Sequence, residues 1–415
     1  MRRIAGPPFC ATLVAMLQPD CGTDSDLAGT GPGEPRRIPI YPWLLAGVVL
    51  LSRILAAGPI YFADGPSHVE AVQARTYVIQ PPGYWLFNRT AALFPDPERG
   101  IVLLNWVFSV LGVVVFYYAA RLLVRKGTAQ LGAAVYAAVF YGWFSGDIHS
   151  TYASQLLFPV LVFLLLMLHN QRPRLTYLLA ASVAYALGAG FRPTDGFFVG
   201  FMFLYYVVRH APWRQALLAV AVVTVLCLVW LVPTLEAFTA RDSLHWALGY
   251  SAETTRQVSP LFQGITFRSA ANVARFAVPF VAAFWPLLLP FLKTALDTRE
   301  GQVRLLWLWI TPGMAYLVLF YMSDAPYLNF MTAAVLLLAL KQLDSSKPLL
   351  RTLLLTSCLV TNVAVFLLFS PVPSKSLAAN VLNVFVGKYT RFAIRNRWQP
   401  NLSDVIDRDT LAPKR

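Results

Sequence analysis

Along this chain the polar positions come in short clusters, and what separates the clusters is apolar. The stretches 40–57, 101–124, 129–144, 155–168, 175–190, 197–208, 216–238, 273–292, 305–321, 328–340 and 353–369 carry few or no charges. Several run to about 20 residues, enough to cross a hydrocarbon core of roughly 30 Å. They are too long and too uniformly apolar for half-buried strands, and within lipid a helix satisfies its own backbone. The pattern predicts an all-α polytopic membrane protein with about eleven transmembrane helices.

The turns between these stretches sort by charge. Arg36 and Arg37, then Arg121, Arg125 and Lys126, then His169, Arg172 and Arg174, fall on alternate turns, as do Arg209, Arg214, Lys293, Arg304, Lys341, Lys347 and Arg351. The positive-inside bias places those turns, and the N-terminus, on the cytoplasmic side and the C-terminus outside. Arg53, near the far end of the first span, is expected to snorkel outward. Pro279, Pro286 and Pro290 are expected to kink or break the span 273–292, either as ordinary helix kinks or as the wall of a groove for a prenyl chain. The apolar domain occupies 40–370, with a first outer loop at 60–100, where juxtamembrane helices are expected, and a second at 239–272. Residues 1–39, rich in Gly, Pro and Asp, read as a disordered cytoplasmic tail. Residues 371–415 form a polar tail, of which 380–394 is amphipathic enough to lie along the interface.

Composition narrows the function classes. The chain is 57% hydrophobic and 13% charged, with a net charge of +14. In a soluble protein that excess would suggest nucleic acid. Here Lys and Arg sit in short loops, so no nucleic-acid partner is expected, and membrane lipids or a lipid phosphate are the anionic partners in reach. The cysteines are Cys10, Cys21, Cys227 and Cys358, two in the leader and two in apolar spans, which suggests no disulfide framework. There is no Gly-rich phosphate loop.

The acids fall mostly on one side. Asp64, Glu70, Asp147, Asp195, Glu236, Asp242 and Asp324 lie in outer turns or at outer span ends, with His68, His149 and His245, whereas Asp297, Glu300 and Asp344 lie in inner loops. Acids at span ends are costly unless they face a hydrated cavity or a partner, so chemistry is expected on the outer face.

An acid, Asp64, follows the first span. A Gln80-Pro81-Pro82-Gly83-Tyr84 turn opens an aromatic-rich stretch, Gly190-Phe191-Arg192-Pro193-Thr194 forms a later outer turn, and Pro326-Tyr327-Leu328 opens a late span. This layout, from about residue 40 to about residue 340, resembles the GT-C superfamily of multispanning glycosyltransferases, in particular the branch of protein O-mannosyltransferases and lipid A aminoarabinose transferases. The resemblance implies a polyprenyl-phosphate-linked sugar donor, a lipid, glycan or protein acceptor, and work on the periplasmic or lumenal face. The lean loops point to a bacterial inner membrane, with the endoplasmic reticulum membrane as the alternative. Asp64 matches the family's catalytic acid. The Glu that often follows that acid is replaced here by Gly65, leaving His68 or Glu70 to take part of its role. Gln155 stands where relatives often carry an acid.

Each candidate has a sharp and a plain reading. Asp64 suits a general base that deprotonates an acceptor hydroxyl, and equally a helix N-cap. Arg192 suits the lipid phosphate, because a guanidinium matches phosphate oxygens two at a time; it also suits an interfacial anchor or an ion pair with Asp195. Arg75 and Arg89 are rival phosphate binders on what reads as a solvated helix face. Asp147 and His149 suit acceptor binding or, with Asp64 and His68, a divalent metal ion, although their spacing matches no metal signature. Tyr84, Trp85, Trp246, Tyr250 and Tyr327 suit sugar stacking or an aromatic belt. The rival functions are a secondary transporter or lipid flippase, which would need ionisable groups at span centres and two related halves, and an inactive scaffold of the same fold.

Overall fold

The computed structural model describes residues 39–56, 64–79, 82–240, 249, 252–253, 255–256, 259–296, 300–320 and 325–368. The tails at 1–38 and 369–415, most of the second outer loop and Asp324 lie outside them. Each apolar stretch read from the sequence is largely helical where described, and the described residues contain no strand.

The helices in chain order are α1 (Tyr41–Ala56), the juxtamembrane α2 (Gly65–Gln73) and α3 (Trp85–Ala91), α4 (Pro97–Arg121), α5 (Lys126–Ala138) and α6 (Phe140–Asp147). There follow α7 (Ser154–Gln171), α8 (Leu175–Phe191), α9 (Pro193–His210) and α10 (Trp213–Ala240). The last group is α11 (Pro260–Gln263), α12 (Phe267–Phe284), α13 (Leu288–Ala295), α14 (Gly301–Leu319), α15 (Asn329–Asp344) and α16 (Pro348–Leu368). Among the described residues, seven spans are long and apolar enough to cross a membrane, and Tyr41–Leu55 and Leu175–Phe191 are shorter apolar helices. This is an integral membrane protein.

Local chemistry sets the breaks. The stretch 129–144 divides into α5 and α6 at Val139, whose ψ of 119° leaves the helical region. The break leaves Phe140 N–H without a helical acceptor, and Asn362 Oδ1 takes it at 3.2 Å, so the buried donor is satisfied by a side chain from α16. The stretch 273–292 divides as expected at Pro286, where a 3-10 turn, Trp285–Leu287, joins α12 to α13; Pro279 sits inside α12.

Burial orders the bundle. The α7 span is 94% buried and the α15 span 83%, whereas the α10 span is 6% buried despite being the most apolar. Helices apolar all round are core when neighbours surround them and lipid-facing when they do not. Exposed Leu217, Val225, Leu228 and Val232 mark the lipid-facing side of α10. Between α4 and α7 the backbones come close enough that a Cβ on Gly112 would lie 2.5 Å from the Leu156 carbonyl oxygen. At the end of α15, Asp344 accepts from Thr128 Oγ1 at 2.5 Å and from Arg125 Nε at 3.3 Å, and Glu300 pairs with Lys341 at 2.5 Å. Asp344 and Glu300 thus tie neighbouring helices together. One expectation is corrected here: Arg53 does not snorkel outward but is 2% exposed, held among α1 and α6. Its partner, Asp147, lies across the bundle in sequence but beside it in space.

Candidate active site

The turn between α8 and α9 is written by Pro193. A residue before proline is pushed out of the helical region, and Arg192 is extended at φ −144°, ψ 97°, while Pro193 starts the next helix. The turn sits inside the bundle rather than at its surface, and Arg192 is 1% exposed. Its Nη1 donates to Thr151 Oγ1 at 2.7 Å, and its Nε lies 4.0 Å from Asp195 Oδ1. Three tyrosine rings surround the guanidinium, with centroids at 4.0 Å for Tyr152, 4.8 Å for Tyr327 and 5.8 Å for Tyr84. Nε and Nη2 are buried without a hydrogen-bond acceptor. Asp195 Oδ1 accepts from Gln155 Nε2 at 2.6 Å, and Oδ2 is buried with no donor. Buried polar groups are rarely left unpaired, so this end of the bundle carries unspent hydrogen-bonding capacity of both signs.

Tyr84 reaches Arg192 from the other side by an unusual backbone. It is left-handed at φ 56°, next to Gly83 at φ 105°, and Arg75 and Tyr77 are left-handed too, at φ 54° and 58°. Such residues persist where surrounding structure over-determines them. The restraint here includes His68 and Asn88. Asn88 Nδ2 donates to the Tyr77 carbonyl at 3.0 Å, so its Oδ1 accepts from His68 Nδ1–H at 2.7 Å. The His68 ring also packs against Tyr84 and Phe87, with centroids at 5.6 and 5.5 Å. Burial pushes the His68 imidazole down to about 4, helped by the Arg192 charge, so it is neutral at pH 7. Burial raises the Tyr84 phenol, which stays protonated and feels the charges of Arg192, Asp64 and Asp195.

Asp64 sits at the N-cap position of α2, but its side chain makes no cap hydrogen bond. Asp64 thus starts the helix, as its plain reading has it, without capping it through its side chain, and it is half-buried and in electrostatic reach of Tyr84.

Asp147 ends α6, and His149 follows in the turn beyond it. Asp147 Oδ2 is 3.6 Å from Arg53 Nη1, which also donates to the Trp143 carbonyl. The loop beyond is pinned by Asn105 Nδ2, donating to the carbonyls of Ile148 at 2.7 Å and Ser150 at 2.9 Å. His149 is 1% exposed, its Nε2 lies 3.7 Å from Glu98 Oε1, and neither ring nitrogen has a hydrogen-bond partner. Burial, and the nearby His68, push it down to about 4.

The predicted residues thus divide. Arg192, Tyr84 and Tyr327 meet directly, His68 packs against Tyr84, and Asp64 lies within electrostatic reach. Glu70 is exposed: two residues from the buried His68, it falls on the opposite face of α2. Arg75 is exposed as well, and Arg89 stacks over Tyr77 at 5.4 Å. Trp85 is half-buried and edge-on to Tyr77 at 6.2 Å. Trp246, Tyr250, His245, Asp242 and Asp324 lie outside the described residues. Among the described residues no group of three or more His, Cys, Asp or Glu side chains could hold a metal ion. Thr151, Tyr152 and Asn88 are neighbours that sequence reasoning missed. The polar exit at 146–152 was the signal for the first two; nothing local marks Asn88.

A bundle of spans with two juxtamembrane helices after the first, and a polar cluster under them, is the architecture of the GT-C glycosyltransferases. The chain has the GT-C fold, and the resemblance read from its residues is borne out. A family model for dolichyl-phosphate-mannose-protein mannosyltransferases matches residues 80–236, which include Tyr84, Asp147, His149 and Arg192 but not Asp64. Among solved structures, ArnT from Cupriavidus metallidurans bound to undecaprenyl phosphate superposes with a TM-score of 0.55 at 15% identity, over 86% of this chain and 76% of that one. Its apo form gives 0.53 at 16% identity, over 85% and 73%. The Archaeoglobus fulgidus oligosaccharyltransferase tethered to an acceptor peptide gives 0.48 at 13% identity, over 86% and 55%. At these identities the likeness to solved structures is one of fold. Comparison with curated proteins gives no match.

Proposed function

We propose that this protein is an inverting membrane glycosyltransferase. It moves a sugar from a polyprenyl-phosphate carrier to a lipid, glycan or protein acceptor on the outer face of a bacterial inner membrane. The observation that carries the reading is Arg192: a buried guanidinium, stacked among three tyrosines, with two N–H-bearing nitrogens left without acceptors. A phosphate oxygen supplies an acceptor for Nη2 and places a negative charge beside the guanidinium.

In the reaction the acceptor hydroxyl oxygen attacks the anomeric carbon as the bond from that carbon to the phosphate oxygen breaks. Asp64 takes the hydroxyl proton, and the electron pair leaves with the lipid phosphate, whose charge Arg192 balances. Tyr84, Tyr152 and Tyr327 exclude water from the guanidinium and strengthen that interaction. His68, neutral and tied to Asn88, holds Tyr84 in place rather than carrying charge. No nucleotide site is needed, because the donor is a lipid.

The test uses membranes with the wild-type protein and with Asp64→Asn, supplied with a panel of radiolabelled polyprenyl-phosphate sugars. Transfer by the wild type that disappears in the variant, at equal expression, is the expected result. Turnover retained by Asp64→Asn sinks the base assignment. No transfer from any donor by the wild type sinks the glycosyltransferase reading.

A further inference from the structure

Arg192 and Asp195 sit one turn apart and do not quite meet. Nε to Oδ1 is 4.0 Å, beyond a hydrogen bond, although both side chains are 2% exposed. On one side Nε and Nη2 lack acceptors, and on the other Oδ2 lacks a donor. Thr151 holds Nη1 and Gln155 holds Oδ1, so neither group is adrift. Asp195 also lines a small pocket between α7, α8 and α9, together with Phe158, Pro159, Tyr185, Gly188 and Ala189.

We infer that Asp195, anchored by Gln155, is a positioning residue for Arg192, closing onto its Nε edge so that Nη2 is presented to a lipid phosphate. This rests on the proposed use of Arg192 as the phosphate ligand. A guanidinium has three edges. Thr151 already holds Nη1, Asp195 takes Nε, and the three tyrosines cover the faces, which leaves Nη2 as the nitrogen free for a ligand. The carboxylate also keeps the site near neutrality when no phosphate is present, which matters because an isolated buried cation is expensive. Asp195 itself touches no reacting atom in this scheme. Gln155 supplies a neutral donor that holds the carboxylate without cancelling its charge, a task a second acid at that position could not perform.

The experiment compares the wild type with Asp195→Asn, Asp195→Glu, Gln155→Ala and Arg192→Gln, each purified in nanodiscs. The first readout is the thermal shift produced by undecaprenyl phosphate alone, which needs no turnover. Asp195→Asn is expected to weaken the apparent affinity about tenfold and Gln155→Ala several-fold, Asp195→Glu to recover part of the loss, and Arg192→Gln to abolish the shift. Where transfer is measurable, Asp195→Asn should raise the donor KM and leave the acceptor KM unchanged, which general loosening of the fold would not do. The second readout is the melting temperature of the Arg192→Gln/Asp195→Asn double variant: its decrement should be smaller than the two single decrements combined. Wild-type affinity for undecaprenyl phosphate in Asp195→Asn, or decrements that simply add, would overturn the inference. A wild type that shifts with undecaprenyl phosphate yet transfers no sugar overturns the glycosyltransferase reading and leaves the positioning role standing. A wild type that gives no shift overturns the phosphate assignment and the presenting role with it.

Discussion

The ring of Tyr152 lies 4.0 Å from the Arg192 guanidinium, forty residues away in sequence and closer to it than either Tyr84 or Tyr327. Tyr152 begins the polar entry to α7, and Arg192 ends α8, so the contact exists only because α7 and α8 pack side by side. A desolvated cation over an aromatic face contributes about 2 kcal/mol, roughly a thirty-fold effect on an equilibrium. Tyr152→Phe should therefore leave lipid-phosphate affinity nearly intact, while Tyr152→Leu weakens it by about tenfold or more. Titration with undecaprenyl phosphate checks this; equal losses in the two variants would count against the stacking role.

Arg192 itself should not tolerate a lysine. An ammonium cannot donate to Thr151 and to a phosphate from a planar fork at once. Arg192→Lys is expected to lower transfer by about 10²-fold, as does removal of one donor aimed at developing charge. Steady-state transfer at saturating acceptor measures it, and a variant within a few-fold of wild type would show that the charge alone suffices.

Acid should loosen the fold through His68 and His149. Both imidazoles are pushed down to about 4 from 6.5 by burial. A histidine whose folded value lies below its unfolded value contributes stability that is complete above pH 6.5 and is lost as pH falls toward 4, because the unfolded chain binds the proton first. At 1.36 kcal/mol per unit the loss is at most about 3 kcal/mol for each. Melting temperature in detergent should fall between pH 6.5 and 4 and then level off as far as these two groups are concerned. A His149→Gln variant should show a shallower fall; an unchanged profile would remove His149 from the account.

The Arg53–Asp147 pair predicts an asymmetry between single and double substitutions. The two are 3.6 Å apart with side chains each 2% exposed. Removing one partner of a buried pair costs about 3–5 kcal/mol, whereas replacing both by apolar side chains of similar volume is often near neutral. Arg53→Met and Asp147→Leu should each depress the melting temperature, and the double variant should recover most of the loss.

Gly83 is expected to resist even alanine. Its φ of 105° disfavours any side chain, and a Cβ there would stand 2.6 Å from Thr234 Cγ2 and 3.2 Å from Phe238 Cε2 on α10. Strain of this kind costs on the order of 1–3 kcal/mol. Gly83→Ala should lower both the melting temperature and lipid-phosphate affinity, since Tyr84 follows directly. Loss of neither would mean the turn is less constrained than its contacts imply.

The helical class, the positions of the apolar stretches and the break at Pro286 were legible in the chain, because hydrophobic run length and proline chemistry act locally. So was the standing of Asp64, Arg192, Tyr84 and Tyr327 as candidates, since charged and aromatic groups next to Pro or Gly turns stand out against apolar surroundings. What they face was not legible. Arg53 read as a snorkelling arginine because a span end is usually near water, and the packing of α6 against α1 instead gave it buried carbonyls and Asp147. Glu70 and His68 looked alike as ionisable neighbours, and the face of α2 that packs inward separated them. Helix, span and turn follow from interactions within a few residues, which the order of side chains along the chain determines by itself. The cage around Arg192 joins Tyr84, Thr151, Tyr152, Asp195 and Tyr327, and which helix lies beside which is decided only when all the apolar faces are buried together.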